Sequence, residues 1–332
     1  MALSLSAALI MAAAALGSGA ATPIPAPSIR LQTPLDCTFG KTCFIQQYFD
    51  HDPGPGETDY RCGSMTYNGH DGTDFRVPTL AAQRAGVAVL AAADGVIVAT
   101  RDGMQDVSVA LTGSASVAGR ECGNGVMVAH PSGWQTQYCH MAKGSVAVKQ
   151  GQAVKAGATL GQVGESGDAA FPHLHLNVFK DGVRVDPFAF GAPPGSCGGG
   201  VSLWTQEAAR ALGYHSPELI NFGFADGAVT ADDIEEGTAA ARTPSTVSPA
   251  IVAFARAIGL RAGDVLSLQA IGPGGFSASS QPATLDHSKA QSMVFVGSRR
   301  PAAGWSHGVY RGRFTVQRAG VVVLDHSFEV TL

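Results

Sequence analysis

The chain has 332 residues, 45% of them hydrophobic and only 14% charged, which is enough apolar material for one large core or two ordinary ones. A formal net charge of −4 leaves no basic footprint of the kind nucleic-acid binders carry, and the apolar content excludes a disordered chain. Forty-two glycines and 18 prolines without a fixed period point to many turns between short strands, not to a collagen-like rod.

Residues 1–21 form an Ala/Leu-rich run closing on Gly17-Ser18-Gly19-Ala20-Ala21, the apolar stretch and small-residue exit of a secretory signal, although its n-region has no Lys or Arg. A membrane anchor is the competing reading, and the run is short and alanine-rich for one. Residues 22–59 are an N-terminal extension: a Pro/Ala-rich lead-in to about Leu35, a strand at Phe44–Phe49 and a loop at Asp52–Gly56. In Gly69-His70-Asp71-Gly72-Thr73-Asp74-Phe75 the two glycines argue against a helix, so His70 is predicted on a tight loop and Asp74 at the start of a strand.

Next, Val87–Ala92 and Val96–Thr100 flank Asp94-Gly95 as a predicted hairpin. Gly125–His130 and Trp134–His140 flank Pro131-Ser132-Gly133 as another, with His140 at a strand end. Val146–Val163 alternates valine with turn residues in the manner of biotinyl and lipoyl carrier hairpins, but the Asp/Met-Lys tip that a carrier needs is missing, so this stretch reads as scaffold. Asp181-Gly182 turns the chain into a closing strand, Val183–Pro187, and no long helix is needed between 60 and 190.

Pro193–Gly200 marks the clearest boundary, a Gly/Pro linker. Behind it a helix is predicted at Ser202–Leu212 with Ser202 as its cap. Strands are predicted at Ala250–Leu260, Val265–Ala270, Val309–Val316, Val321–Leu324 and Ser327–Leu332, with Tyr310, Phe314 and Val316 facing inward and Arg311, Arg313 and Gln317 outward. This spacing predicts an immunoglobulin-like β-sandwich over 201–332, smaller than the front part, in which His215, His287, His307 and His326 are surface residues. That half contributes no motif residue, so it is expected to be removable without abolishing the front domain's chemistry.

Six cysteines, all before residue 198 and with no Cys-x-x-Cys pair, indicate disulfides in an oxidising compartment and not a cysteine zinc site. Fifteen pairings are open. Cys122 with Cys139, flanking one hairpin, is preferred; Cys37 with Cys43 closes a short loop, leaving Cys62 with Cys197.

Phe171-Pro172-His173-Leu174-His175-Leu176-Asn177-Val178 carries the strongest chemical signal. In a strand, residues i and i+2 project to the same face, so His173 and His175 lie side by side with Leu174 and Leu176 opposite. Rings roughly 6–7 Å apart along a strand cannot easily share one ion at the ~2.0–2.1 Å of a zinc–nitrogen bond, which suggests one ligand and one neighbour facing substrate. Taken alone the pair reads equally well as half-buried strand histidines. With His70, Asp74 and His140 it becomes a candidate site, since two histidines and a carboxylate suit zinc and leave a fourth position for water.

Gly69-His70-Asp71-Gly72-Thr73-Asp74-Phe75, Tyr138-Cys139-His140, the Val148/Gly151/Val154/Gly157/Leu160-Gly161 series, Pro172-His173-Leu174-His175-Leu176 and Val185-Asp186-Pro187 occur in that order, and together they resemble the lysostaphin-type (LytM-like) zinc metallopeptidases. The resemblance covers about residues 60–190. It implies a mainly β chain whose front domain, 60–192, is an antiparallel metallopeptidase core with lipoyl-like hairpins. It also implies one Zn²⁺ per chain held by His70, Asp74 and His175, with His140 and His173 as the catalytic pair. The implied activity is hydrolysis of peptide bonds in bacterial peptidoglycan cross-links or stems, by an exported protein in the periplasm or outside the cell. The alternative is a non-catalytic zinc-binding module that activates or recruits other wall hydrolases; such members lack ligands, and none is missing here.

Overall fold

A computed structural model describes residues 27–332; the run 1–21 read as a signal lies outside the described residues. Ten strands build the front half: β1 (Phe44–Gln47), β2 (Thr73–Arg76), β3 (Ala88–Leu90), β4 (Gly95–Arg101), β5 (Asn124–Ala129), β6 (Trp134–Met141), β7 (Ala153–Val154), β8 (Thr159–Gln162), β9 (His173–Lys180) and β10 (Val183–Val185). The main sheet is antiparallel in the order β1-β2-β9-β6-β5-β4-β7, with β10 beside β9 and with β3 and β8 paired separately. Apolar alternation fixes its two faces. Phe75 on β2, Tyr138 on β6, and Leu174, Leu176 and Val178 on β9 are all buried in one core, which turns the intervening residues to the other side.

The front core takes in more chain than the motifs span. Ile29, Leu31 and Leu35 from the N-terminal extension belong to it, and so do Leu203, Trp204, Ala208 and Leu212 from beyond the Gly/Pro segment. Leu31 forms a bridge with Trp204, and the Leu31 N–H donates to Leu203 at 2.8 Å. The removable unit expected from residue 201 onward is therefore not supported, because its first dozen residues fill the front core.

Helices are short: α1 (Leu80–Ala85), α2 (Val109–Thr112), α3 (Gln206–Ala211), α4 (Ala231–Glu236) and α5 (Thr238–Ala241). No described helix is long and apolar enough to cross a membrane. α3 starts later than expected, capped by the Thr205 hydroxyl on the Ala208 N–H at 3.2 Å, because Leu203 and Trp204 are extended and buried.

The back half contains β11 (Glu218–Ala225), β12 (Ala250–Leu260), β13 (Val265–Ile271), β14 (Ser277–Ser279), β15 (Ala283–Thr284), β16 (Lys289–Arg299), β17 (Val309–Arg318) and β18 (Val321–Thr331). A three-stranded sheet, β11-β12-β16, and a five-stranded one, β14-β13-β17-β18 with β15 on β13, are both antiparallel. They share a core of Phe224, Ile251, Ala255, Leu266, Phe314 and Val316. Tyr310, Phe314 and Val316 are buried and Arg311, Arg313 and Gln317 exposed, as their alternation predicted. β11 and β16 were not read from the sequence. β18 is one strand, not two; Asp325 within it sits on an exposed face and pairs with Arg313 at 2.6 Å.

One predicted hairpin is absent. β3 pairs with β8, and β4 with β5 and β7, so Asp94-Gly95 does not close a turn between β3 and β4. Gly95 is there for close packing, since a Cβ would stand 2.4 Å from the Ala129 carbonyl, while the Asp94 carboxylate accepts from the Ala156 N–H at 2.8 Å. The β5–β6 hairpin stands as expected. The three disulfides are Cys37–Cys43, Cys62–Cys197 and Cys122–Cys139, the pairings favoured above.

Candidate active site

The site lies on the sheet face opposite the core. In the β2–β9 register Asp74 pairs with His175 and Arg76 with His173, so alternation places all four side chains on one face. His70 arrives from the preceding loop. That loop is pinned by the Asp50 carboxylate, which accepts from the N–H groups of Asp52, Thr58 and Gly69, and by the Asp50 N–H, which donates to the His70 carbonyl at 2.8 Å. Gly72 admits the ring of His175, because a Cβ there would lie 2.5 Å from His175 Nε2.

Three donor atoms converge. His70 Nε2 is 3.1 Å from Asp74 Oδ1 and 3.3 Å from His175 Nδ1, and His175 Nδ1 is 2.8 Å from the same Asp74 oxygen. Two donors on a tetrahedral zinc with bonds of ~2.0–2.1 Å are about 3.3–3.4 Å apart, so this triangle has nearly the size of one tetrahedral face. The far ring nitrogens are also committed. His70 Nδ1–H donates to the Tyr48 carbonyl at 2.6 Å, and His175 Nε2 faces Asp71 Oδ1 at 3.4 Å, which turns His70 Nε2 and His175 Nδ1 to the centre.

The electrostatics favour a cation at that point. Burial alone would raise the Asp74 carboxyl, yet His70, His173 and His175 hold it well below the usual carboxylate range. Burial opposes charge on His175, but hydrogen bonds to Asp71 and Asp74 and their negative charges outweigh it and push the imidazole up to about 9. The carboxylates that would hold a proton there would equally hold a metal ion. The residues present fit zinc.

His140 reaches this face by a backbone device. Cys139 pairs with His175, so it projects to the site face and strict alternation would send His140 into the core with Tyr138. Instead the β5–β6 register slips between Asn124 and Val126, and His140 takes φ +61. This bulge turns its ring to the site and returns Met141 to the core. Left-handed φ at a non-glycine residue costs on the order of 1–3 kcal/mol, and here the surroundings hold it. His140 N–H donates to the Cys122 carbonyl and His140 Nδ1–H to the Ser166 carbonyl at 2.7 Å. Ser166 Oγ is itself fixed between the Asn124 N–H and the Met141 carbonyl.

The ring of His140 lies 4.7 Å from that of His173, whose Nδ1–H donates to the Phe171 carbonyl at 2.8 Å. Both rings therefore present an unprotonated Nε2. Burial pushes both imidazoles below their ordinary range, His140 well below it with help from the neighbouring His173 and His175, so both are neutral near pH 7.

Residues 68–187 match the model of peptidase family M23. This chain carries an M23 peptidase domain. Over 127 residues it is 31% identical to the peptidoglycan DD-endopeptidase ShyA of Vibrio cholerae, a match that spans 38% of this chain and 24% of that protein. Over 130 residues it is 32% identical to the DD-carboxypeptidase/endopeptidase Mpg of Neisseria meningitidis, spanning 39% of this chain and 24% of that protein. The chain thus spans about a quarter of the length of these relatives. Among solved structures, the catalytic domain of the antimicrobial peptidase lysostaphin from Staphylococcus simulans is 25% identical, covering 43% of this chain and 86% of that one, with a TM-score of 0.28.

All five site residues expected from the sequence come together in the M23 domain, while His130 is structural, buried between the Asp94 carbonyl and the Thr136 hydroxyl. The supporting shell was missed. Asp71 is held by Asn177 Nδ2 at 2.9 Å and by Arg184 Nε at 3.2 Å. Asn177 was legible, since His173, His175 and Asn177 continue one i, i+2 series. Asp71→Ala should lower zinc affinity by about 10–100-fold, as loss of a carboxylate that orients a ligating histidine does, in a competition titration against a chromogenic chelator; an unchanged affinity would remove Asp71 from the site. Beside the rings an open groove of about 340 Å³ is lined by Tyr67, Arg101, Arg120, Glu121 and Asp168 as well as by His140 and His175.

Proposed function

We propose that the chain is a zinc-dependent endopeptidase that hydrolyses peptide bonds in bacterial peptidoglycan cross-links or stem peptides, with one Zn²⁺ held by His70, Asp74 and His175. The observation that carries this reading is the donor triangle of those three residues, with two neutral histidines beside it. The names of the relatives, which are peptidoglycan endopeptidases, agree with it. Zinc, when bound, supplies a Lewis acid for the scissile carbonyl and brings the pKa of its water to ~7.

The chain's own residues then handle the proton. His140 and His173, both neutral and with bare Nε2 atoms, are acceptors as they stand, so either can take the proton of the attacking water. Only after protonation can His173 donate toward the carbonyl oxygen. The imidazolium so formed is also the acid that returns the proton to the departing amine nitrogen. The polar groove, with cationic and anionic side chains on its walls, suits a peptide bearing free carboxylates and amines. Three disulfides support action in an oxidising compartment outside the cytoplasm. We read the back half, with its two facing sheets, as an immunoglobulin-like accessory domain.

Digestion of purified peptidoglycan with mass analysis of the soluble fragments tests this reading. Release of cleaved cross-links or stems should stop in a chelator and return on zinc addition. Full activity in verified metal-free protein would sink the zinc assignment, and zinc-loaded protein that binds sacculi without releasing fragments would favour the non-catalytic module.

A further inference from the structure

The back half meets the M23 domain on the site face of the sheet, beside His173. Arg76 lies on that face, cross-strand from His173, and its side chain is fully buried. One terminal nitrogen of its guanidinium, Nη2, reaches both carboxylate oxygens of Glu235 of α4, at 2.7 and 2.8 Å, and the other, Nη1, donates to Gln46 of β1 and Gln291 of β16. The same Glu235 carboxylate pairs with Arg256 of β12, which also donates to Asn221 and to the Pro78 carbonyl. One carboxylate from the back half thus neutralises two buried arginines. α4 is seated closely: it ends at Gly237, φ +89, where a Cβ would lie 3.1 Å from Ala81 of α1.

From Arg76 the contacts continue inward. Its guanidinium sits over the Phe171 ring, 4.5 Å from the centroid, and that ring lies 4.5 Å from the ring of His173. The Phe171 carbonyl is also the acceptor that sets the tautomer of His173. We infer that Glu235, through Arg76 and the face of Phe171, is a positioning residue for His173, so that the back half is a working part of the peptidase site and not a detachable wall-binding module. Guanidinium and ring form a stack that fixes the Phe171 segment, and the Phe171 segment fixes the imidazole. The inference rests on His173 belonging to the reacting site.

The test uses the full chain with Glu235→Gln, Phe171→Leu, Phe171→Tyr and the Glu235→Gln/Phe171→Leu double variant. Each is measured for zinc content, unfolding midpoint, kcat and KM on a soluble cross-linked muropeptide, and for the imidazole ¹⁵N resonances of His173. Glu235→Gln and Phe171→Leu should keep zinc and lose kcat by about tenfold or more with KM changed little, since small misplacements of a reacting group cost that much. Their His173 resonances should depart from the Nδ1–H pattern. Phe171→Tyr, which restores the aromatic face, should behave as wild type, and the double variant should lose no more than the worse single.

Glu235→Gln leaves two buried arginines without a counter-charge; if it does not fold, Phe171→Leu, which leaves the ion cluster intact, decides the matter. Unchanged His173 resonances and kcat in folded Phe171→Leu, or additive losses in the double variant, would overturn the inference. If wild-type protein cleaves no muropeptide, the proposed activity fails while the resonances still decide whether Glu235 and Phe171 set His173.

Discussion

His175→Ala should lose zinc and activity together, whereas His173→Ala and His140→Ala should keep the metal and lose turnover. His175 is one corner of the donor triangle, with Nδ1 2.8 Å from Asp74 Oδ1 and 3.3 Å from His70 Nε2, so its removal leaves two protein donors where three are needed. His173 Nε2 stands 3.5 Å from the same Asp74 oxygen, with its Nδ1–H spent on a backbone carbonyl, and His140 approaches from β6 without contacting a donor oxygen. Loss of either removes a proton acceptor and, later, a donor to developing charge, a change worth about 10²–10³ in rate. Zinc analysis beside kcat for the three variants, each checked for folding, is the measurement. Zinc lost from His173→Ala and retained by His175→Ala would reverse the roles, and zinc retained by all three would take the paired histidines out of the metal site.

A chain ending at residue 200 should fail to fold, while one ending after Tyr214 should still melt cooperatively and bind zinc. The first cut removes Leu203, Trp204, Ala208 and Leu212 from the front core. Emptying the site of one large core side chain costs about 2–5 kcal/mol, so losing this set approaches the whole ~5–15 kcal/mol that stabilises a domain. The cut also strips Leu31 of its partner Trp204, freeing the N-terminal extension. The second cut keeps α3 and the aromatic packing of Tyr214 on Tyr48 and Tyr60, beneath the carbonyl that orients His70. Thermal unfolding followed by far-ultraviolet circular dichroism distinguishes the two. Cooperative melting of the 200-residue chain at the full-length midpoint would show that these contacts add nothing.

Much of the site was legible because its residues obey local rules. Alternation along β9 put His173 and His175 on one face, and the glycines around His70 forced a loop just before Asp74. Hairpin position favoured Cys122–Cys139 and short separation Cys37–Cys43, while Cys62–Cys197 followed only as the remaining pair. What misled was local too: Asp94-Gly95 has the composition of a turn, but Gly95 is small because Ala129 passes close to it. The boundary at 193–200 likewise followed composition, which marks where a chain bends and not which core the next apolar residues enter.

By itself the sequence determined a mainly β chain, the identity of five chemistry-bearing residues and the strand face shared by two of them, His173 and His175, since side-chain direction in a regular strand depends only on residue parity. Only the tertiary structure decided how His140 joins them, because a bulge with φ +61 reverses its parity, and no local pattern announces a register slip set by the facing strand. It alone decided the partners that fix each ring, Tyr48, Asp71, Ser166 and Phe171, and the meeting of Glu235 with Arg76 across 159 positions. Such pairings depend on where sheets pack in space, and residues distant in the chain carry no mark of one another.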